Sequence, residues 1–173
     1  ISKGVGVATV IGFPFGYSGI SAKAAEVEEA IANGADELDM VINLAALMAD
    51  DEDYLQKEIQ TISAITHKSG KTLKLIIESG ILTDEEIIRC CEIYQMYPVQ
   101  FLKTSTGYAE RGATVEAVQL MRQHLPSTIQ IKASGGIKTL AFAQQLVDAG
   151  ATRLGCSASV AIVKHAAATD AAY

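Results

Sequence analysis

Short runs of apolar, β-branched residues alternate along this chain with longer amphipathic stretches, which restricts it to folds built on a parallel sheet. The runs cover residues 5–11, 37–42, 72–77, 99–104, 129–133 and 152–156. Helical patterns fill 21–33, 51–69, 83–96, 114–124 and 139–149, and a last one begins near Ser157. Parallel neighbours need a crossover of a dozen or more residues, and each helical stretch supplies one. Local signals agree with this division. Thr83 and Glu86 form a capping box, and Asp50 is placed as the N-cap of the helix that follows it. Gly34, Gly70 and Gly150 each close a helix just before a strand, where a left-handed residue is wanted.

Such βα units can build an open doubly wound sheet or a closed barrel. The position of the polar residues favours the barrel. Phe13-Pro14-Phe15-Gly16, Asn43, Glu78-Ser79-Gly80, the segment from Lys103 to Gly107, Ser134-Gly135-Gly136 and Ser157 all lie at or just past the C-terminal end of a strand. A barrel builds its site on that rim, whereas an open sheet concentrates chemistry at one switch point. The expected fold is therefore α/β, a (β/α)8 TIM barrel in one domain spanning 1–173. Only about six βα units can be counted, and such barrels typically need about 250 residues. The N-terminal units are expected to be missing, leaving two strand edges and part of the interior uncovered.

A net charge of −6 disfavours a nucleic-acid partner, which would want a basic face. It leaves room for a small anion held by backbone N–H groups. No apolar run approaches the roughly 20 residues of a membrane span, and the first residues lack the pattern of a signal peptide. Cys90, Cys91 and Cys156 have neither metal nor disulfide spacing, as expected of structural thiols in a reducing cytoplasm. His67, His124 and His165 show no ligand spacing either, so neither a metal nor another cofactor is expected.

Three lysines interrupt apolar strands: Lys74, Lys103 and Lys132. Lysine is almost never buried without a partner. Lys103 and Lys132 fall at one level of what are expected to be non-adjacent strands, each followed by a loop of small residues. A free lysine titrates near 10.4 and is inert at neutral pH. A second ammonium nearby, with partial desolvation, favours the neutral amine that can attack a carbonyl. Asp39, inside the apolar stretch 37–43, shares a strand face with Glu37 and Val41. A carboxylate there needs a cation, and it can relay protons for the imine. The glycine loops Ser134-Gly135-Gly136-Ile137 and Gly155-Cys156-Ser157 precede helices, as phosphate loops do late in a barrel. Lys3, Lys23, Lys57, Lys68, Lys71 and Lys164 read as solvated. Residues 12–16 form either a pocket wall or a simple turn.

Together these motifs resemble those of the 2-deoxyribose-5-phosphate aldolase family, class I Schiff-base aldolases. The stretches that carry the resemblance are residues 7–14, 34–43, 73–78, 101–107 and 132–138. By that resemblance Lys103 is the Schiff-base lysine, Lys132 the lysine that perturbs it and Asp39 the relay. Lys74 and Thr106 are placed beside the substrate. Gly135, Gly136, Gly155 and Ser157 match the phosphate loops. The implied reaction is reversible cleavage of 2-deoxy-D-ribose 5-phosphate to glyceraldehyde 3-phosphate and acetaldehyde, in a homo-oligomeric enzyme (dimer or tetramer). The sequence departs from the family pattern at Ala158, where a second serine is usual, and across residues 108–112, usually richer in glycine. Tyr173 is a candidate for the mobile terminal tyrosine of some members. Two other readings are a different lysine-imine aldolase or transaldolase and a non-catalytic phosphate-binding assembly subunit.

Overall fold

A computed structural model describes residues 4–164 of the chain. His165 and Tyr173, and Lys3 at the other end, lie outside the described residues. Among those described, β1 (Ala8–Ile11) leads through α1 (Ile20–Ala32) to β2 (Glu37–Val41). Two helices, α2 (Leu44–Met48) and α3 (Glu52–Lys68), precede β3 (Thr72–Ile76). A 3₁₀ turn at Ser79–Ile81 and α4 (Asp84–Tyr94) lead to β4 (Phe101–Lys103). Then follow α5 (Val115–His124), β5 (Gln130–Ser134), α6 (Leu140–Asp148), β6 (Arg153–Gly155) and α7 (Ser159–Val163).

The six strands form one parallel sheet in the order β1-β2-β3-β4-β5-β6. That progression has no reversal, so the switch point of a doubly wound sheet is absent from it. The sheet also curls. Glu37 on β2 and Arg153 on β6 form an ion pair of 2.6 Å. In a flat sheet at ~4.8 Å per strand, those strands would lie roughly 19 Å apart. The fold is thus α/β, with a six-stranded parallel sheet curled around the charged side chains of its concave face.

Strand parity explains the two faces. Leu38, Met40, Leu73, Leu75, Leu102, Ile131 and Ala133 alternate with the charged residues and are buried in the apolar core. The helices present matching stripes. Leu55, Ile59 and Ile62 on α3 and Ile87, Cys90, Cys91 and Tyr94 on α4 recur at helical spacing and are all buried. The edge strands are the least buried: β1 keeps two exposed residues, and the three residues of β6 are all half-buried.

The helix ends follow the sequence closely. Gly34, Gly70 and Gly150 have φ of +94°, +63° and +117°. Each donates its N–H to the carbonyl three residues back while the next residue reaches five back, as in Ala35 to Ala30 at 3.0 Å. The Thr83–Glu86 capping box is complete. Asp50, however, is not the N-cap of α3. Its φ is +55°, and Asp51 accepts from the Tyr54 N–H at 3.1 Å. Helix α2 inserts an extra turn, capped by the Asn43 side chain, and so moves the cap one residue on.

Lys23 also departs from expectation. It is fully buried between α1, α3 and the end of β2. Its Nζ donates to Glu58 Oε1 and to the Val41 carbonyl, both at 2.7 Å. With Val27 one turn on, it forms the buried stripe of α1, and the Glu58 carboxylate and the Val41 carbonyl make that tolerable.

Candidate active site

The parallel register builds the site. Asp39 pairs with Lys74, Lys103 with Ile76 and with Lys132, and Lys132 with Arg153. Paired residues point the same way, and Lys74 lies two residues before the level of Lys103, so all five charged residues project from the concave face. Lys103 and Lys132 were expected on non-adjacent strands. They are direct neighbours on β4 and β5, because the sheet follows chain order throughout.

Asp39 is the hub. One oxygen, Oδ2, accepts from Lys103 at 2.9 Å and from Lys132 at 2.7 Å. The other, Oδ1, accepts from Lys74 at 2.5 Å. Asp39, Lys74 and Lys103 are buried, and Lys132 is nearly so. Glu37 closes the cluster below, accepting from Lys74 at 2.7 Å and from Arg153 at 2.6 Å, while the Arg153 guanidinium stacks over Phe101. Four cations therefore share two carboxylates.

That imbalance sets the protonation states. Burial pushes the Lys103 amine below its usual range. The Asp39 carboxylate opposes the shift, and the Lys132 and Lys74 ammoniums reinforce it. For Asp39, burial works toward a raised value, but the surrounding ammoniums prevail and hold the carboxyl far below the usual carboxylate range. The cluster thus pairs an amine biased toward its nucleophilic form with a carboxylate that stays ionised.

The other candidates surround this hub on the rim. Thr104 and Ser105 are buried and tie the strand of Lys103 to β5. Thr104 Oγ1 accepts from the Ser134 N–H at 3.0 Å, and Ser134 Oγ donates to the Ser105 carbonyl at 2.6 Å. Gly135 and Gly136 are left-handed at φ +85° and +75°, and Ala113 N–H donates to both the Ser134 and the Gly135 carbonyls. Gly155 has a different necessity. A Cβ there would sit 2.9 Å from Ser134 Cβ, so its absence makes room for the Ser134 side chain on the neighbouring strand. Ser157 is exposed in the turn before α7. Phe13 of the 12–16 loop meets Tyr108 edge-on, centroids 5.3 Å apart, joining the rim loops after β1 and β4.

Lys74, expected beside the substrate, has no exposed surface, and Glu37 and Asp39 share its ammonium. It anchors Asp39 from below. Reading Lys103, Lys132 and Asp39 as the centre left out Glu37, Arg153 and Glu78. The signal for the first two was the same period-two charge on a strand that revealed Asp39. Cys90 and Cys91 stay out of the chemistry, since burial pushes both thiols upward, Cys91 to about 12. A cleft of about 340 Å³ on α3 and α4, lined by Glu52, Arg89, Met96 and Tyr97 among others, lies on the helical side of the sheet, away from this cluster.

A buried lysine whose amine is held below its usual range, a second lysine beside it and a buried carboxylate, inside a curled parallel sheet, fit the class of enzyme that works through a lysine amine on carbonyl carbon. Residues 3–165 match the sequence family described as DeoC/LacD family aldolase, and the chain belongs to that family. It is 48% identical over 166 residues to the deoxyribose-phosphate aldolase of Lactococcus lactis subsp. cremoris, covering 96% of this chain and 74% of that protein. The corresponding protein of Thermococcus gammatolerans is 45% identical, over 94% of this chain and 72% of its own length. Among solved structures, an aldolase named QR15 superposes with a TM-score of 0.90 at 40% identity, covering 95% of this chain and 74% of its own. The deoxyribose phosphate aldolase of Aeropyrum pernix, described as having a unique tetrameric structure, gives 0.85 at 28% identity, over 93% and 68%. The chain is accordingly an aldolase, a carbon–carbon lyase.

Proposed function

We propose that the chain catalyses the reversible cleavage of 2-deoxy-D-ribose 5-phosphate to glyceraldehyde 3-phosphate and acetaldehyde through an imine on Lys103. The observation that carries this reading is the single Asp39 oxygen shared by Lys103 and Lys132. The neutral Lys103 amine adds to the aldehyde carbon of the open-chain sugar, and the carbinolamine loses water to form an iminium. The C3 hydroxyl then gives up its proton and the C2–C3 bond breaks. Its electron pair moves into the iminium, leaving an enamine on Lys103 and releasing glyceraldehyde 3-phosphate. Protonation of the enamine carbon and addition of water return acetaldehyde and free lysine.

In this reading Lys132 lowers the basicity of Lys103 and supplies a proton, and Asp39, through water, carries protons between the amine and the reacting carbons. Gly135, Gly136, Gly155 and Ser157 are assigned to the phosphate and Thr106 to the sugar. The curled sheet, taken as one domain, is the greater part of an eight-stranded barrel, closed when two further strands pair with the edges of β1 and β6. A homo-oligomer and a cytoplasmic location belong to the same reading. Among the described residues, no helix is long and apolar enough to cross a membrane.

Borohydride trapping tests the chemistry. Incubation with acetaldehyde and borohydride is expected to add an ethyl group to Lys103, mapped by mass spectrometry and lost in Lys103→Leu. The folded protein staying unmodified at Lys103 would sink the proposal.

A further inference from the structure

Glu78 is a carboxylate that the steps above do not use. It follows β3, is buried with 4% of its surface exposed, and has φ +52° and ψ +53°. A non-glycine residue in that left-handed region is uncommon and strained. Such conformers persist where the surroundings hold them and cluster at functional sites. Among the described residues no cation lies within ion-pair distance of Glu78. The partner it has is Thr106, three residues past the imine lysine. Both carboxylate oxygens accept from the Thr106 N–H at 3.3 Å, and Oε2 also accepts from the Thr106 hydroxyl in a very short contact.

This arrangement fixes the direction of the Thr106 hydroxyl. A threonine hydroxyl has one proton and two lone pairs, and a carboxylate has only acceptors. The proton of Thr106 Oγ1 is therefore committed to Glu78. One lone pair accepts from the Tyr108 N–H at 3.0 Å. What remains is a single acceptor site. The Thr104–Ser134 and Ser105–Ser134 bonds hold the same loop from the other side, so it has little freedom to re-aim the hydroxyl.

We infer that Glu78 is a positioning residue that makes Thr106 an obligate hydrogen-bond acceptor toward the substrate, so that the site selects an aldehyde bearing a hydroxyl group over one without it. This rests on the assignment of Thr106 to the sugar under the proposed function. A hydroxyl can donate to Thr106, whereas a methylene or an ether oxygen cannot and leaves the half-buried Thr106 acceptor unpaired.

Glu78→Gln reverses the polarity without changing the shape. The Thr106 N–H still needs an acceptor, so the amide oxygen turns to it and the amide N–H₂ faces Thr106 Oγ1. The hydroxyl proton is then free to point into the site. The experiment condenses acetaldehyde with glycolaldehyde or with methoxyacetaldehyde, whose ether oxygen can accept but cannot donate, and compares kcat/KM for the two aldehydes. Wild type should favour glycolaldehyde, and Glu78→Gln should reduce that preference by roughly five- to tenfold. Thr106→Val should reduce it similarly, and the double variant no further, because one hydrogen bond is at stake. Glu78→Asp, which keeps the charge, should lie nearer wild type, and Thr106→Val carries the test if the glutamine variant fails to fold. An unchanged preference in Glu78→Gln, or in Thr106→Val, overturns the inference. Borohydride trapping on each variant separates the two levels of failure. A retained Lys103 adduct with unchanged preference refutes the role of Glu78 alone, whereas absence of the adduct from wild type refutes the proposed function and this inference with it.

Discussion

Two buried lysine–carboxylate clusters lie on opposite sides of the same strand, and they show how similar residues serve different ends. On the convex side of β2, Lys23 and Glu58 face each other one to one. Glu58 Oε2 also accepts from the Asn43 N–H at 3.1 Å, and Lys23 also donates to the Val41 carbonyl, so the pair staples the end of β2 to α1 and α3. Burial pushes Lys23 down and Glu58 up, and each partner's charge opposes that shift. On the concave side, Asp39 holds three ammoniums and cannot satisfy them all equally. A matched pair gives a rigid joint. A mismatched cluster leaves one amine biased toward losing its proton, which an imine enzyme requires and a structural joint does not.

The largest expected effect comes from unmatching the convex pair. Lys23→Met leaves Glu58 buried without its cation, which costs about 3–5 kcal/mol of unfolding free energy. Adding Glu58→Met should restore most of it, because an apolar pair of similar volume fills the space. Chemical denaturation of both variants measures this. If the double variant is as unstable as the single one, the joint is not a charge-matched pair. Acetaldehyde trapping on Lys103 should persist in the folded fraction, as the two clusters face opposite sides of the sheet.

The second effect is the pH dependence of stability, and its sign differs between the clusters. Asp39 has a folded value far below its unfolded one. It therefore contributes stability that is fully present above the unfolded value near 3.9 and is lost as pH falls through the folded value. Glu58 is raised, so its contribution runs the other way, declining as pH rises above the unfolded value near 4.3. Unfolding free energies measured from pH 5 downward should fall in wild type by up to about 1.4 kcal/mol per pH unit for this one group. Asp39→Asn should flatten that slope and Glu58→Gln should steepen it. A slope unaffected by Asp39→Asn would mean that the ammoniums do not hold its proton off.

The contrast also marks what the sequence made legible. Lys74, Lys103, Lys132 and Asp39 stood out because charge at period two inside an apolar strand has few explanations. Lys23 did not, since a lysine every few residues on a helix is ordinary and its partner lies 35 residues away on another helix. All six strands were readable as apolar runs, although β4 keeps only Phe101–Lys103 of its expected length. Its backbone still bonds onward at Thr104, whose N–H donates to the Lys132 carbonyl at 3.0 Å. Helix α2 escaped notice because five residues carry too little periodicity. The N-cap at Asp51 depended on that helix and was lost with it. Glu37 and Arg153 carried the same signal of charge on a strand, but their pairing across the sheet needed its curl, which no single segment encodes. Glu78 needed a backbone angle.

The smallest effect, and the one that tests the mismatch most directly, is on the ionisation of Lys103. Both Lys103 and Lys132 touch Asp39 Oδ2, so their ammoniums are close enough to repel strongly. Lys132→Leu removes that repulsion and leaves Asp39 to Lys103 and Lys74. The Lys103 value then rises, its neutral fraction at a given pH falls, and the acidic limb of kcat/KM moves to higher pH by about 1–2 units. Lys132 also supplies a proton in the proposed steps, so the overall rate drops as well, but a lost proton donor lowers the plateau and does not move this limb. The limb position therefore isolates the electrostatic coupling. Lys132→Arg keeps the charge and should return the limb close to its wild-type position even where the plateau stays low. A limb that stays in place in Lys132→Leu would assign the depressed basicity of Lys103 to burial alone, and the four-to-two imbalance on the concave face would lose its chemical purpose.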